Sequence, residues 1–152
     1  MQRVGSGPRG GEAYVDYAHT PDGLKTALSA LRPHTRGRLI VVFGAGGDRD
    51  PTKRALMGEA AATLADIAIV TDDNPRSEDP AAIRAQVRAG APEAQDIGDR
   101  REAIAAAVAL MREGDVLVVA GKGHEQFQTI AGVTHHFDDV AVTAQALESV
   151  HV

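Results

Sequence analysis

Short apolar runs alternate with alanine-rich segments along most of this chain, and that alternation restricts the fold more than any other feature. Three of the runs are apolar at nearly every position, as strands buried on both faces are. Strands of this kind that alternate with helices predict an α/β domain, in which helices cover both faces of a mostly parallel sheet. The four runs predicted as strands are AYVDYA (13–18), RLIVVFGA (38–45), IAIVTDD (67–73) and DVLVVAG (115–121).

Three of the predicted helices share one start signal, a capping Thr or Asp followed directly by proline. The pairs are Thr20-Pro21, Asp50-Pro51 and Asp79-Pro80. Asp99 and Glu102 form a capping-box pattern for a fourth helix. The predicted helices run from Pro21 to about Leu31, from Pro51 through ALMGEAAATLA, from Pro80 to a stop at 90–92, from Asp99 to about Arg112, and from about Asp139 to Val150.

The two ends of the chain and one internal segment are less regular. FQTIAGVTHHFDD predicts a hairpin that turns near Ala131-Gly132 and adds an antiparallel edge to this Rossmann-like sheet. Residues 93–98 fit either a loop or a short edge strand. Because residues 1–12 are polar and glycine-rich, we expect a flexible lead-in there, with 13–152 forming one domain.

Net charge and composition argue against several classes of binding partner. The formal net charge is −5, whereas a nucleic-acid-binding surface usually needs a basic excess, so we expect no nucleic-acid partner. No apolar stretch approaches the roughly 20 residues that span a bilayer, so we expect no membrane partner. The chain has no cysteine, which excludes a disulfide framework and a thiolate metal site.

Four predicted strands end in polar or glycine-rich clusters. In a parallel sheet the carboxyl ends of the strands meet at one edge, where open α/β sheets bind their ligands. Any single cluster fits ordinary turn and capping chemistry, but four on one edge indicate a binding site. The clusters are DYAH (16–19), GAGGDRD (44–50), DDNPR (72–76) and GKGHE (121–125).

These clusters carry both signs of charge. Arg49 and Arg76 can each present a planar guanidinium to a carboxylate, whereas Asp73 and Glu125 can accept hydrogen bonds from an ammonium group. Cation and anion receptors side by side predict a zwitterionic ligand, such as a free amino acid. The alternative is that Arg76 pairs with a neighbouring acid, Asp73 or Glu78, in a surface ion pair that contributes little.

Several familiar motifs fail in this sequence. GAGGDR lacks the third glycine of the dinucleotide fingerprint, and the GKG segment lacks both the first glycine and the final Ser or Thr of a P-loop. His135-His136 has no spaced third metal ligand, so we interpret it as an exposed hairpin pair. The residues therefore predict a binding edge, with no metal site and no catalytic residue.

Four long stretches resemble the C-terminal domain of the Mur ligases in both order and spacing. They are VDYAHTPDGLKTAL, VVFGAGGDRDPTKR, VTDDNPRSEDP and GKGHEQFQ, and the resemblance covers nearly the whole chain. DNPR resembles the members that add meso-2,6-diaminopimelate to UDP-N-acetylmuramoyl-L-alanyl-D-glutamate during peptidoglycan precursor synthesis. The resemblance implies an ATP- and Mg²⁺-dependent ligase of the cytoplasm.

The resemblance also assigns roles to residues of this chain. Those implied to bind diaminopimelate are Arg49, Asp73, Asn74, Pro75, Arg76, Gly121 and Glu125, and those implied to contact the nucleotide are Asp16, Tyr17 and His19. The P-loop, the magnesium ligands and the UDP-sugar-binding domain of the family have no counterpart here. We therefore expect ATP and Mg²⁺ to bind mostly to a central domain outside this chain, no cofactor to bind the chain alone, and the chain alone to be inactive.

Two alternatives remain open, and a third is disfavoured by the sequence. One is an autonomous amino-acid- or nucleotide-binding module with no catalytic partner. Another is a Mur ligase that adds lysine. The related folate-polyglutamate ligases carry a similar Asp-Tyr-Ala-His segment, but the DNPR and GKGHE stretches argue against them.

Overall fold

The computed structural model describes residues 1–123 and 125–149, which form eight strands and five α-helices. His124 and the predicted helix end at Val150 lie outside the described residues. The strands are β1 (Gln2–Ser6), β2 (Glu12–Asp16), β3 (Leu39–Phe43), β4 (Ile67–Val70), β5 (Gln95–Asp96), β6 (Val116–Ala120), β7 (Phe127–Ile130) and β8 (Val133–His136). The helices are α1 (Pro21–Leu31), α2 (Arg54–Leu64), α3 (Pro80–Arg88), α4 (Arg100–Leu110) and α5 (Asp139–Ser149).

Six strands form one sheet in the order β1-β2-β6-β3-β4-β5. The neighbours from β2 to β5 are parallel, and β1 is antiparallel to β2. The prediction of a mostly parallel α/β sheet is therefore confirmed. Segment 93–98, which fitted either a loop or a strand, supplies the two-residue edge strand β5.

Helices cover both faces of this sheet because the direction of the crossovers reverses. The connections through α1, α2 and α3 advance along the sheet, whereas α4 leads back from β5 to β6. Right-handed crossovers in opposite directions place their helices on opposite faces. Alternate side chains of β3 accordingly enter two cores: Leu39 and Phe43 pack with α1 and α2, and Ile40 and Val42 pack with α4.

The predicted capping residues start three of the helices. The side chains of Thr20, Asp79 and Asp99 each accept a hydrogen bond from a main-chain N–H of the first turn, as the sequence predicts. Asp50 instead caps a short 3₁₀ turn, Pro51–Lys53, so α2 begins about one turn later than predicted.

The prediction of a flexible lead-in is wrong for Gln2–Ser6, which forms the edge strand β1. Its main chain pairs with β2, Arg3 Nε donates to Glu12 Oε2 at 2.7 Å, and Val4 packs against the core. An edge strand pairs with one neighbouring strand and buries one face, so its sequence can remain largely polar. The polar composition of β1 therefore gave no strand signal.

The predicted hairpin forms, but it is a separate two-stranded sheet rather than an edge of the main one. Ala131 and Gly132 both have positive φ, 51° and 76°, which fits the two-residue turn between β7 and β8. The antiparallel edge of the main sheet is β1 instead. A backbone bridge between Arg76 and Ile130 joins the hairpin to the loop after β4.

Candidate functional site

The carboxyl ends of β2, β6, β3 and β4 lie side by side, and a cavity of about 370 Å³ opens above them. This volume lies in the range of roughly 300–1,000 Å³ that is usual for small-molecule sites. The predicted site residues that line it are Tyr17, His19, Arg49, Asp73, Asn74, Arg76, Gly121 and Glu125. Loops distant in sequence therefore meet in one cavity.

Two predicted residues, Asp16 and Pro75, do not line the cavity. The carboxylate of Asp16 accepts a hydrogen bond from Ala18 N at 2.9 Å and so shapes the turn that follows β2. Pro75 is buried, and its main-chain oxygen lies against Gly47, where an added Cβ would approach to 1.8 Å. In this structure both residues support the cavity walls.

Arg76 enters the cavity from the loop that follows β4. Its backbone is left-handed, with φ 54°, and its guanidinium Nη1 donates to Gly47 O at 2.7 Å and to Asn74 O at 3.3 Å. Among the described residues it has no carboxylate partner. The alternative of a surface ion pair is wrong, because Glu78 pairs with Arg54 instead.

Arg49 reaches the same cavity from the loop that follows β3. Its side chain is exposed, and within the part of the chain that the structure describes Nη1 donates only to the adjacent Asp48 O, at 3.2 Å. Two guanidinium groups with main-chain partners thus line one cavity. Such groups can still receive a carboxylate, since a guanidinium carries five N–H donors.

The two predicted acids differ in their surroundings. Asp73 is 8% exposed and has Lys122 beside it, with 3.6 Å between Lys122 Nζ and Asp73 Oδ1. Lys122 is fully buried and also donates to Phe127 O at 2.8 Å. Burial lowers the pKa of Lys122, and the Asp73 carboxylate opposes this shift. Glu125 is exposed at the cavity wall, so one acid of the site is buried and the other is solvated.

The hairpin holds the DNPR loop by three hydrogen bonds. Thr129 N donates to Asn74 Oδ1 at 2.8 Å, and Arg76 N donates to Thr129 O at 2.8 Å. Gln128 Nε2 donates to Asp73 O at 2.6 Å. The side-chain oxygen of Asn74, which the sequence presents as a ligand acceptor, is therefore already in use, and its amide nitrogen is the group that remains for a ligand.

The aromatic side of the cavity lies beyond β2. The rings of Tyr17 and His19 have centroids 4.7 Å apart and are tilted by 57°, and His19 Nδ1 lies 3.0 Å from Tyr17 O. Gly123, with φ 56°, packs directly on Tyr17, where an added Cβ would approach the Tyr17 Cβ to 2.9 Å. Glycine at 123 thus lets the fourth cluster approach the tyrosine.

Arg54 lines the cavity and has a structural role that the sequence did not predict. It is 2% exposed, although it follows an ordinary helix-start signal. Its principal partner, Glu78, lies 24 residues away on another loop. No local pattern marks a buried arginine at a helix start, so the sequence alone carried no signal for it.

A second cavity of about 400 Å³ lies on the other side of the DNPR loop, lined by residues that include Asp72, Arg100 and Gln128. Asp72 pairs there with Arg84, and burial raises the pKa of Asp72 although Arg84 opposes the shift. Arg100 pairs with Asp139. Because these buried charges have partners within the protein, we assign this cavity no ligand.

Two global features of the described residues bear on function. No three His, Cys, Asp or Glu side chains within 1–123 and 125–149 are grouped as a metal ion would require. None of the helices described has the length and apolar character needed to cross a membrane.

Sheet, cavity and mixed charges together define an α/β domain with a small-molecule site at the carboxyl ends of its strands. Residues 1–123 match the family described as "Mur ligase, glutamate ligase domain", and the chain belongs to this family. The resemblance seen in the four sequence stretches is thereby confirmed.

Proteins named UDP-N-acetylmuramoyl-L-alanyl-D-glutamate--2,6-diaminopimelate ligase are similar over almost the entire chain. That of Caulobacter vibrioides is 76% identical over 150 residues, covering 99% of this chain and 31% of the relative. That of Brucella melitensis is 58% identical over 147 residues, covering 97% of this chain and 30% of the relative. The chain thus spans about a third of the length of these relatives.

Two solved structures are also similar to this chain. One of a ligase with the same name superposes with a TM-score of 0.92 at 44% identity, covering 100% of this chain and 32% of the other. E. coli FolC in complex with ADP superposes with a TM-score of 0.62 at 18% identity, covering 98% of this chain and 30% of the other. At that identity the second match shows a shared fold alone.

Proposed function

We propose that this chain is the amino-acid-binding, C-terminal domain of an ATP-dependent ligase that adds meso-2,6-diaminopimelate to UDP-N-acetylmuramoyl-L-alanyl-D-glutamate. The observation that carries the proposal is the meeting of Arg49, Arg76, Asp73 and Glu125 at one cavity. Relatives more than 50% identical, whose names specify this reaction, support it. Residues 13–152 would form the binding domain, and β1, within residues 1–12, would complete the edge of its sheet.

Diaminopimelate matches the charges of the cavity because it has an amino-acid group at each end. One amine must be free to attack the activated dipeptide, so the domain has to hold the opposite end. Arg76 and Arg49 would receive the distal carboxylate, and Asp73 and Glu125 the distal ammonium. Asn74 would contribute its amide nitrogen, Pro75 would fix the loop, and Gly121 would allow close approach of the ligand to the main chain.

Arg76 gives a physical basis for selection against lysine. Within the described residues, its Nε and Nη2 make no hydrogen bond, so a carboxylate would complete its donor set. Lysine lacks the distal carboxylate and would leave this half-buried guanidinium without its partner. Sites that lose such a partner discriminate by about 10⁴-fold in favourable cases.

The nucleotide would lie against the aromatic side of the site. Tyr17 and His19 offer ring surface there, His19 adds an imidazole nitrogen, and Asp16 would keep the turn in shape. ATP supplies the phosphoryl group that activates the dipeptide carboxylate in this family. No cluster of three potential metal ligands occurs among the described residues, and we assign Mg²⁺ to the central domain of the ligase.

The domain would position the attacking amine and would take no direct part in making or breaking bonds. The free amine of the held diaminopimelate forms the new C–N bond and gives up a proton as the C–O bond of the acyl phosphate breaks and phosphate leaves. Holding the distal end would orient the attacking amine, and closure over the site would exclude water from the acyl phosphate. The ligase would act in the cytoplasm in peptidoglycan precursor synthesis, and the 152-residue chain alone would form no product.

The decisive experiment uses a full-length ligase that carries this domain, with ATP, Mg²⁺ and the UDP-linked dipeptide. Diaminopimelate and lysine are supplied separately, and the product is identified by mass. We expect a product with diaminopimelate and at least about 10²-fold lower kcat/KM with lysine. Equal use of lysine would contradict the specificity, and product from neither amino acid would contradict the proposed reaction.

A further inference from the structure

Arg54 is a buried cation at the base of the amino-acid cavity. Its Nη1 and Nη2 donate to the two carboxylate oxygens of Glu78, each at 2.9 Å. The same guanidinium donates to Gly46 O at 3.1 Å and to Gln86 Oε1 at 2.9 Å. It therefore contacts the loop after β3, the loop after β4 and helix α3 at once.

Glu78 extends this connection to the loop that carries Arg49. Asp48 N donates to Glu78 Oε1 at 2.6 Å, and Ser77 Oγ donates to the Asp48 carboxylate at 2.7 Å. Hydrogen bonding from Arg54 and from Asp48 holds the pKa of Glu78 below its ordinary value, so the carboxylate is charged at neutral pH. The charged pair of Arg54 and Glu78 thus joins the loop after β3 to the loop after β4.

The backbone next to both cavity arginines needs such support. Asp48, which precedes Arg49, has φ 53°, and Arg76 has φ 54°. Residues other than glycine disfavour this left-handed region, and they persist in it only where their surroundings hold them. Both left-handed residues lie in the loops that the Arg54–Glu78 pair joins.

We propose that Arg54 and Glu78 are positioning residues for amino-acid recognition: they hold the two loops so that Arg49 and Arg76 converge on one carboxylate. This inference rests on the proposed function, since it assumes that the cavity receives the distal end of diaminopimelate. Neither residue needs to touch the ligand, because Arg54 acts through Glu78 and Gly46.

The geometry predicts that lysine cannot replace Arg54. An ammonium group on a flexible stem is a single point charge, whereas the planar guanidinium binds both oxygens of Glu78 and two further acceptors together. Arg54→Lys would keep the charge and lose the cross-loop connection. A purely electrostatic role would survive this substitution, and a positioning role would not.

The test measures steady-state kinetics of a full-length ligase carrying Arg54→Lys, with each of the three substrates varied in turn. We expect KM for diaminopimelate to rise by about 10- to 100-fold, since small misplacements of a binding group have effects of this size. KM for ATP and for the UDP-linked dipeptide should stay within about twofold. Glu78→Gln, at a partly exposed position, should give the same selective change and decides the matter if Arg54→Lys does not fold.

Arg38→Lys is the matched control. Arg38 also forms a charged pair, with Asp115, but at the amino ends of the strands and far from the cavity in the fold. An unchanged KM for diaminopimelate in a folded variant, or an equal loss for all three substrates, would overturn the positioning role. If instead the unmodified ligase did not use diaminopimelate, the proposed function itself would fail, so the two failures are distinguishable.

Discussion

The guanidinium Nη1 of Arg76 donates to the main-chain oxygen of Gly47 at 2.7 Å, which joins the loop after β4 to the loop after β3. Gly47 N in turn donates to Asn74 O at 2.8 Å. Hydrogen bonds within the protein thus orient the guanidinium of Arg76, the proposed recognition residue. Such preorganisation reduces the side-chain entropy that binding would otherwise cost.

Replacing Arg76 should weaken the use of diaminopimelate specifically. In a full-length ligase, Arg76→Ala removes the proposed donors to the distal carboxylate, and we expect kcat/KM for diaminopimelate to fall by about 10²-fold or more. Steady-state kinetics with diaminopimelate as the varied substrate measure this effect. Arg36→Ala, at an exposed position near the amino ends of the strands, is the control and should have little effect. Unchanged turnover and KM in Arg76→Ala would reject the assigned role.

Gly47 should tolerate no side chain. In Gly47→Ala the new Cβ would lie 1.8 Å from Pro75 O, so the two loops must separate. We expect the free energy of unfolding of the 152-residue chain to fall by about 1–3 kcal/mol. Denaturant titration followed by circular dichroism gives this quantity. Gly5→Ala, which meets only the end of the Leu147 side chain at 3.3 Å, should cost less, and equal losses in the two variants would argue against the close loop contact.

The buried pair between Arg100 and Asp139 should be the most sensitive charged contact of the fold. Both side chains are fully buried, and Arg100 also donates to Ala120 O at 3.0 Å. Arg100→Met leaves Asp139 as an uncompensated buried charge, and we expect a loss of about 3–5 kcal/mol. Arg36→Met, at an exposed position, should change the unfolding free energy by less than about 0.5 kcal/mol. A similarly small change in Arg100→Met would show that the pair does not stabilise the fold.

Asp115 should make the chain less stable in acid. Burial would raise the pKa of Asp115, but hydrogen bonds from Arg38 and from Arg112 N outweigh it, so its pKa lies below the ordinary 3.8. The unfolded chain therefore binds this proton first. The contribution of Asp115 is fully present above about pH 3.8 and is lost as the pH falls through the lower pKa of the folded state.

Denaturant titrations from pH 7 down to about pH 2 can test this acid dependence. Asp115→Asn should lower the unfolding free energy at pH 7 by about 1–3 kcal/mol and flatten its fall in acid. Glu93→Gln, at an exposed carboxyl, should preserve the acid profile of the unmodified chain. If Asp115→Asn kept the full acid dependence, other carboxyl groups would have to account for it.

The sequence predicts the central sheet well because its strands have a clear sequence signature. The continuous apolar runs that become β3 and β6 need two covered faces, and the Thr or Asp caps followed by proline separate them from the helices. The edge strand β1 escapes prediction because its polar residues gain their structure from pairing with β2. Edge strands depend on partners that a local pattern does not contain.

The residues of the site likewise include some that the sequence predicts and some that it does not. The strand-end clusters predict that Arg49, Arg76 and Asp73 share one cavity, because parallel strands place their carboxyl ends together. Arg54 is not predictable in this manner, since its burial follows from Glu78 on another loop. Nor does the sequence show that Asn74 Oδ1 is occupied by Thr129 N of the hairpin. Such tertiary hydrogen bonds are visible only once the loops are in place.

The attachment of the β7–β8 hairpin to the DNPR loop limits how this domain can be re-engineered. Because the Asn74 side chain accepts from Thr129 N while it lines the cavity, replacing Asn74 alone would remove one of the hydrogen bonds that hold the hairpin as well as alter the pocket. A designer who wants another amino acid accepted would need to transplant loop and hairpin together as one cassette. Evolutionary drift at either piece should be subject to the same restraint, with changes on one side tolerated only alongside changes on the other.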